Sequence, residues 1–217
     1  MARDWNGSSH YGTAAAAAAS FDTGSWAGWF QPDFDPSTTT GFHFVNNSGV
    51  YAVVMDGANN LEAEFDSRIL GVNVTGLWSA GTWTHFAVVY NKTGSVIKVY
   101  INGTDAGGSQ TGTWGANTLG GSMRLGVNGG ATGGFFDGDC AEVATWSVVL
   151  DAAEIAALAK GISPQLIRPQ SALVYWPLGG NDSPEFDRGA NKYDLTLTGP
   201  PTKSDHPRMY YPDGAIS

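Results

Sequence analysis

The residues most able to do chemistry lie together in Asp137-Gly138-Asp139-Cys140-Ala141-Glu142. Side chains alternate along an extended strand, so Asp137 and Asp139 can share a face, and Glu142 joins them only through a bulge. Two carboxyl groups about 5–5.5 Å apart would serve as nucleophile and acid of a retaining glycosidase. The plainer reading makes this segment a turn entering a strand, with Glu142 a structural residue. Elsewhere the chemistry is sparse. His10, His43, His85 and His206 are spread along the chain without metal-ligand spacing, and His85 reads as a hydrogen-bonding core residue. No Ser-His-Asp arrangement can be argued, and no G-x-G-x-x-G leads from a strand into a helix. Cys140 is the only cysteine, so no intrachain disulfide can form, and its apolar-alternating surroundings predict a buried, inert thiol.

Eight Trp and eight Tyr raise the question of sugar binding, because the apolar faces of sugars stack on exposed rings. Trp26, Trp29, Trp83, Trp146 and Trp176 fall in apolar strands, and the core is the expected place for most of them. Trp78 and Trp114 lie in Gly- and Ser-flanked stretches that look like loops, as do Tyr210 and Tyr211 near the end. These four are the candidates for glycan or partner contact. The segment from Ser204 to Pro212 is proline-bounded and extended, either an arm lying on a neighbour or a frayed terminus.

The elements that must position these residues are short strands separated by turns. Ser25 to Phe30 is a strand stopped near Pro32, and Phe42 to Val45 runs into Asn46-Asn47-Ser48-Gly49, a hairpin turn. Val50 to Met55 precedes Asp56-Gly57, a second turn, with shorter strands at Leu61 to Phe65 and Ile69 to Val74. Trp83 to Tyr90 and Ser95 to Ile101 flank Asn91-Lys92-Thr93-Gly94 as a hairpin; Ile97, Val99 and Ile101 occupy one face. Met123 to Val127 and Ala141 to Val149 add two more strands. One short helix is expected near 151–160. Asp151 and Glu154 form a capping box, Ile155 and Leu158 give an apolar face, Gly161 ends it and Pro164 prevents continuation. The Gly-rich pieces Gly107-Gly108, Gly120-Gly121 and Gly129 to Gly134 suit hairpin loops or bulges. The expected class is all-β, an antiparallel two-sheet jelly-roll sandwich, and 217 residues suffice to build it as one core.

Trp83-Thr84-His85-Phe86-Ala87-Val88-Val89-Tyr90, then Val99-Tyr100-Ile101-Asn102-Gly103, resembles a W-x-H-x-A-x-x-Y then Y-x-N-G signature. Arg124-Leu125-Gly126, Phe136-Asp137-Gly138-Asp139-Cys140-Ala141-Glu142-Val143, Trp146 and Leu150 to Ile155 follow in order. The sequence is similar over roughly residues 20 to 160 to the laminin G-like, concanavalin A-like lectin/glucanase jelly rolls. That family includes β-glucanases with acidic residues alternating on one strand, but their surrounding Glu and Trp pattern is not present, so the resemblance implies a non-enzyme. It also implies that calcium could be held through oxygen ligands at a loop edge, with Asp56, Asp66, Asp182 and Asp187 as candidates; otherwise no cofactor is expected. The ends depart from the family order. Trp5-Asn6-Gly7-Ser8-Ser9-His10-Tyr11, usually a second element, stands first, and the usual opening element, Ala172 to Leu178 with Asp187, Gly189 and Leu195, stands near the end. Residues 1–163 are therefore expected as the sandwich. Residues 164–217 would complete it, with 172–198 filling the missing strand's place in the same chain or on a neighbouring subunit.

Net charge of −9 and scattered basic residues argue against nucleic acid or an anionic membrane as partner. Met1 to Trp5 lacks the basic start and apolar run of a signal peptide, and no stretch reaches about 18 apolar residues, so cytoplasmic synthesis is expected. Charged residues are only 14%, which suits a surface that another protein covers. The segment from Ser163 to Pro169, with Leu173 to Gly180, resembles bacteriophage and marine environmental proteins. The leading expectation is a bacteriophage virion structural protein, a homo-oligomer decorating the capsid surface beside the major capsid protein and weakly binding host-surface glycans. A bacterial carbohydrate-binding or adhesion module and a β-glucanase-type glycoside hydrolase are the alternatives.

Overall fold

Alternating apolar residues fold into two antiparallel sheets with most of the aromatic side chains between them. The computed structural model describes residues 1–14, 22–37, 41–47, 51–57, 59–116, 122–179, 182–199 and 202–212. The first sheet contains β1 (Ala2–Asn6), β3 (Thr23–Pro32), β8 (Thr84–Asn91), β9 (Val96–Ile101), β10 (Thr104–Asp105), β13 (Asp137–Trp146), β14 (Ala172–Trp176) and β16 (Thr202–Ser204). Its order is β10-β9-β8-β3-β13-β1-β16, with β14 also against β13. The second contains β2 (Tyr11–Ala14), β4 (Phe42–Asn47), β5 (Tyr51–Met55), β6 (Asn60–Phe65), β7 (Arg68–Asn73), β11 (Ser109–Gly112), β12 (Met123–Leu125) and β15 (Leu195–Thr198). Its order is β11-β7-β6-β5-β4-β12-β2-β15. This is the all-β, two-layer sandwich that the sequence pattern predicts.

Between the layers lie Trp5, Trp26, Phe30, Phe44, Phe86, Phe136 and Trp176, each at most 1% exposed. Phe30 meets Phe44, Phe86 and Phe136 edge-on with ring centroids 4.7–5.7 Å apart, the arrangement that aligns ring edges with ring faces. Ile97, Val99 and Ile101 of β9 join this core, as their alternation requires. A smaller apolar cluster covers the outer face of the first sheet, where Ala144, Trp146 and Tyr175 meet Ile155 and Leu158 of α1 (Ala152–Leu158). The capping box of α1 is complete: Asp151 accepts from the backbones of Ala153 and Glu154, and Glu154 accepts from the Asp151 N–H. The expected turn at Ser48-Gly49 and the Gly120-Gly121 pair lie outside the described residues.

The carboxyl-terminal segment is woven into both sheets of its own chain. β13 pairs with β1 through Asp137 to Cys140 and with β14 through Val143 to Trp146, so β1 and β14 occupy one strand position end to end. β15 pairs with β2, and β16 with β1. The segment after β16 crosses the outer face of the first sheet towards the end of α1, where Tyr210 donates to the Gly161 carbonyl at 2.7 Å.

Candidate functional site

Trp5 and Cys140 point into the core, so Asp137 and Asp139 alternate to the outer face, opposite Asn6 and Asp4 of β1. Burial, reinforced by Asp4, Asp33 and Asp205, pushes the Asp139 carboxyl up to about 6. The pairing of β13 with β3 slips between Ala141 and Ala144, and Glu142 takes a φ of 55°. This bulge does not make Glu142 an open partner for Asp137 or Asp139. Glu142 is 1% exposed, and its carboxylate accepts from Tyr175 Oη at 2.7 Å and Tyr211 Oη at 2.9 Å, with His206 Nε2 at 3.3 Å. Its oxygens fasten the tail segment to β14 and face no open cleft.

The aromatic candidates separate by burial. Trp78 is 5% exposed, packs edge-on against Phe86 and donates Nε1–H to the Phe34 carbonyl, so it is a core residue rather than a contact residue. Trp114 is half-buried against the core. Tyr210 is exposed, with the Arg208 guanidinium 5.5 Å from its ring centroid, and Tyr211 is half-buried over Glu142. Glycine and serine neighbours marked Trp78 as a loop residue correctly, but the loop carries the indole inside against Phe86. His85 is a core residue, as expected, 1% exposed. Its backbone N–H donates to Asn102, while ring Nδ1 has no hydrogen-bond partner among the described residues, and burial lowers its pKa to about 3. The Cys140 thiol is fully buried, which pushes its pKa well up.

The four acids considered for calcium do not meet. Asp187 is buried and accepts from the backbones of Tyr175, Gly189 and Tyr193, Asp66 pairs with Lys92 at 3.5 Å, and Asp56 accepts from Asn60. Asp182 alone of them lines the cavity described next. Among the described residues, no three His, Cys, Asp or Glu side chains are grouped to hold a metal.

An open cavity of about 540 Å³ lies where the tail segment, the amino terminus and the loop after β14 converge. Phe186, Arg188, Asp182, Gln165, His206 and Tyr211 contribute to its lining. The loop is built to display two of these. Glu185 exchanges backbone hydrogen bonds with Leu195, accepts from the Leu178 N–H at 3.1 Å, and faces Arg3 at 3.6 Å. Asp187 is pinned as described, and Arg188 N–H donates to the Tyr175 carbonyl. With Glu185 and Asp187 drawn inward, the alternating residues Phe186 and Arg188 project outward, and Phe186 remains 64% exposed. What singles out Phe186 among the exposed apolar residues is its place beside Arg188, Asp182 and Gln165 in the lining of a cavity. Sequence reasoning missed Phe186, because a lone Phe between two acids carries no mark that separates a displayed ring from a core one.

The family model of the concanavalin A-like lectin/glucanases superfamily matches residues 6–156. No curated protein is similar in sequence. Among solved structures, the fold matches a candidate carbohydrate binding protein from Bacteroides ovatus with a TM-score of 0.70 at 19% identity, covering 91% of this chain but 58% of that one. The chain therefore spans less than two thirds of that relative. It also matches domain 4 of AbnA, an extracellular arabinanase from Geobacillus stearothermophilus in complex with arabinotriose, with a TM-score of 0.54, 22% identity and coverage of 73% and 76%. A third is the ligand binding domain of botulinum neurotoxin serotype D in complex with N-acetylneuraminic acid, with a TM-score of 0.50, 13% identity and coverage of 66% and 37%. At these identities the likeness concerns the fold. The family match spans well over half of the residues, and on that ground the chain belongs to the concanavalin A-like lectin/glucanases superfamily.

Proposed function

We propose that this chain is a glycan-binding module that holds sugar in the Phe186 cavity without cleaving it. The observation that carries the reading is the exposed Phe186 ring on the rim of a cavity whose other walls present Arg188, Asp182 and Gln165. An apolar ring for a sugar face, beside a few oriented polar groups for its hydroxyls, is the composition of a small-molecule site, and about 540 Å³ is a suitable volume. The carbohydrate-binding descriptions of the Bacteroides and Geobacillus neighbours lean the same way. Binding rather than hydrolysis is favoured because Glu142 is enclosed by its donors and Glu185 is held by Arg3 and the Leu178 N–H. Decoration of a virion, ranked first from the sequence, rests on sequence features such as the low charge content and the bacteriophage-like segments Ser163 to Pro169 and Leu173 to Gly180; neither the cavity nor the neighbours add to it, so glycan binding takes first place.

A glycan array followed by calorimetry tests the reading. The Phe186→Ala variant should bind at least about tenfold more weakly, a change of about 1.4 kcal/mol, while its melting temperature stays close to native because the ring is mostly exposed. Unchanged affinity would place the site elsewhere, and a silent array would overturn the function. Incubation with oligosaccharides should yield no shorter products; cleavage that disappears in Glu185→Gln would establish an enzyme instead.

A further inference from the structure

We infer that the Phe186 cavity is one end of a two-chamber groove that takes a neutral, linear oligosaccharide of at least two units, with Arg188 and Gln165 at the waist. The inference rests on the glycan-binding reading and extends it to the class of sugar. A second hollow of about 250 Å³ shares those two residues with the first cavity, so the two lie side by side across them. Alone it is smaller than a usual ligand site, whereas as an extension of the first it adds room for another unit.

Its walls are set before any ligand arrives. Pro164 and Pro169 stand at its sides, and their rings fix the backbone dihedral. Ala172, Gly189 and Ala190 are small and leave the space open. The Ala190 N–H donates to the Ala172 carbonyl at 3.2 Å, the Gly189 N–H to Asp187 at 2.6 Å, and the Gln165 N–H to Ser163 Oγ at 3.3 Å. A groove already in place loses little ordering entropy when it is filled.

The charges select a neutral ligand. Glu185 faces Arg3 at 3.6 Å, so that guanidinium is engaged with an acid of the site, and Arg188 stands in the same lining as Glu185. Asp182 adds a second carboxylate beside Arg3. Within the lining, Arg188 and the amino end at Met1 stand against Asp182 and Glu185, which leaves no surplus for a sulfated or uronic acid chain, and a net charge of −9 repels such a chain at a distance.

The test is calorimetry on the full chain with arabino-, xylo- and cello-oligosaccharides of one to five units. In at least one series, affinity should rise at least about tenfold between one and three units and then level off. Ala190→Trp, which plugs the second hollow with an indole from an exposed position, should abolish that rise; a thermal melt run alongside verifies its fold, and the length series on the native chain stands independently of the variant. Equal affinity for one and three units would overturn the groove while leaving the glycan reading intact. So would a native-like rise in a folded Ala190→Trp variant. Absence of binding in all three series would overturn both.

Discussion

Asp139 and His85 are both nearly buried, and they make folding depend on pH in opposite senses. Burial first, then Asp4, Asp33 and Asp205, raise the Asp139 pKa from an ordinary 3.8 to about 6. The folded state therefore holds a proton that the unfolded chain has released, and the stability linked to it is full below about 4 and lost as pH rises through 6. Burial lowers the His85 pKa from 6.5 to about 3, so its contribution is full above 6.5 and lost as pH falls towards 3. The two effects overlap and partly cancel in the native chain. Asp139→Asn removes one of them. It should stabilise the protein by about 1 kcal/mol at pH 7, a value reduced for the solvent still reaching the carboxylates, and by nothing near pH 4. Urea unfolding at pH 7, 5.5 and 4 reads this directly, and the variant should lose stability more steeply with acid than the native chain does. A gain that is the same at every pH would mean that the raised Asp139 pKa is not its source.

Among the elements, the junction of α1 with the tail segment carries the most consequence for the cavity. Gly161 ends the helix with a φ of 89°, which a side chain adopts only at a cost, and its missing Cβ leaves room for the Arg208 carbonyl, 2.3 Å from where that atom would stand. The approach permits the hydrogen bonds from Tyr210 N–H to Gly161 and from Ser163 N–H to Tyr210. Two residues before Arg208 and one after Tyr210, the same segment places His206 and Tyr211 on Glu142 and in the cavity wall. Gly161→Ala should cost about 2–3 kcal/mol, combining left-handed strain with displacement of the Arg208 carbonyl. Denaturant unfolding measures that loss, and glycan affinity should drop in parallel because the cavity wall moves. Loss of stability with unchanged affinity would show that the tail segment does not shape the site.

At the scale of the whole molecule, residues 172–198 belong to the core as much as residues 20–160 do. Val174, Trp176, Leu178 and Leu195 are each at most 2% exposed. At roughly 1.5–3 kcal/mol per buried side chain, those four alone approach the entire stability of an ordinary domain. Deleting residues 165–217 should therefore leave β13 half unpaired and the core open. The truncated chain is expected to bind a hydrophobic dye and to lack a cooperative melt. Cooperative melting near the native temperature would mean that the sandwich closes without its final segment.

The strands β3, β8 and β9, the later part of β13, the capped helix α1 and the two-layer class were legible in the sequence because each depends on near neighbours: alternation sets a strand's buried face, turn residues set its ends, and Asp151 and Glu154 sit three positions apart. Asp137 to Cys140, read as a turn, is the first part of β13. β11 was not, since all its residues are exposed and it follows no apolar pattern. The site was legible only in its chemistry. Glu142 was recognised as structural, but its partners Tyr175 and Tyr211 lie 33 and 69 positions away, and no spacing rule reaches that far. Trp78 turned inward and Phe186 outward for the same reason. Whether a ring is buried depends on which distant elements fold over it, and that is decided only when residues 1–14 and 164–212 come to rest against the two sheets.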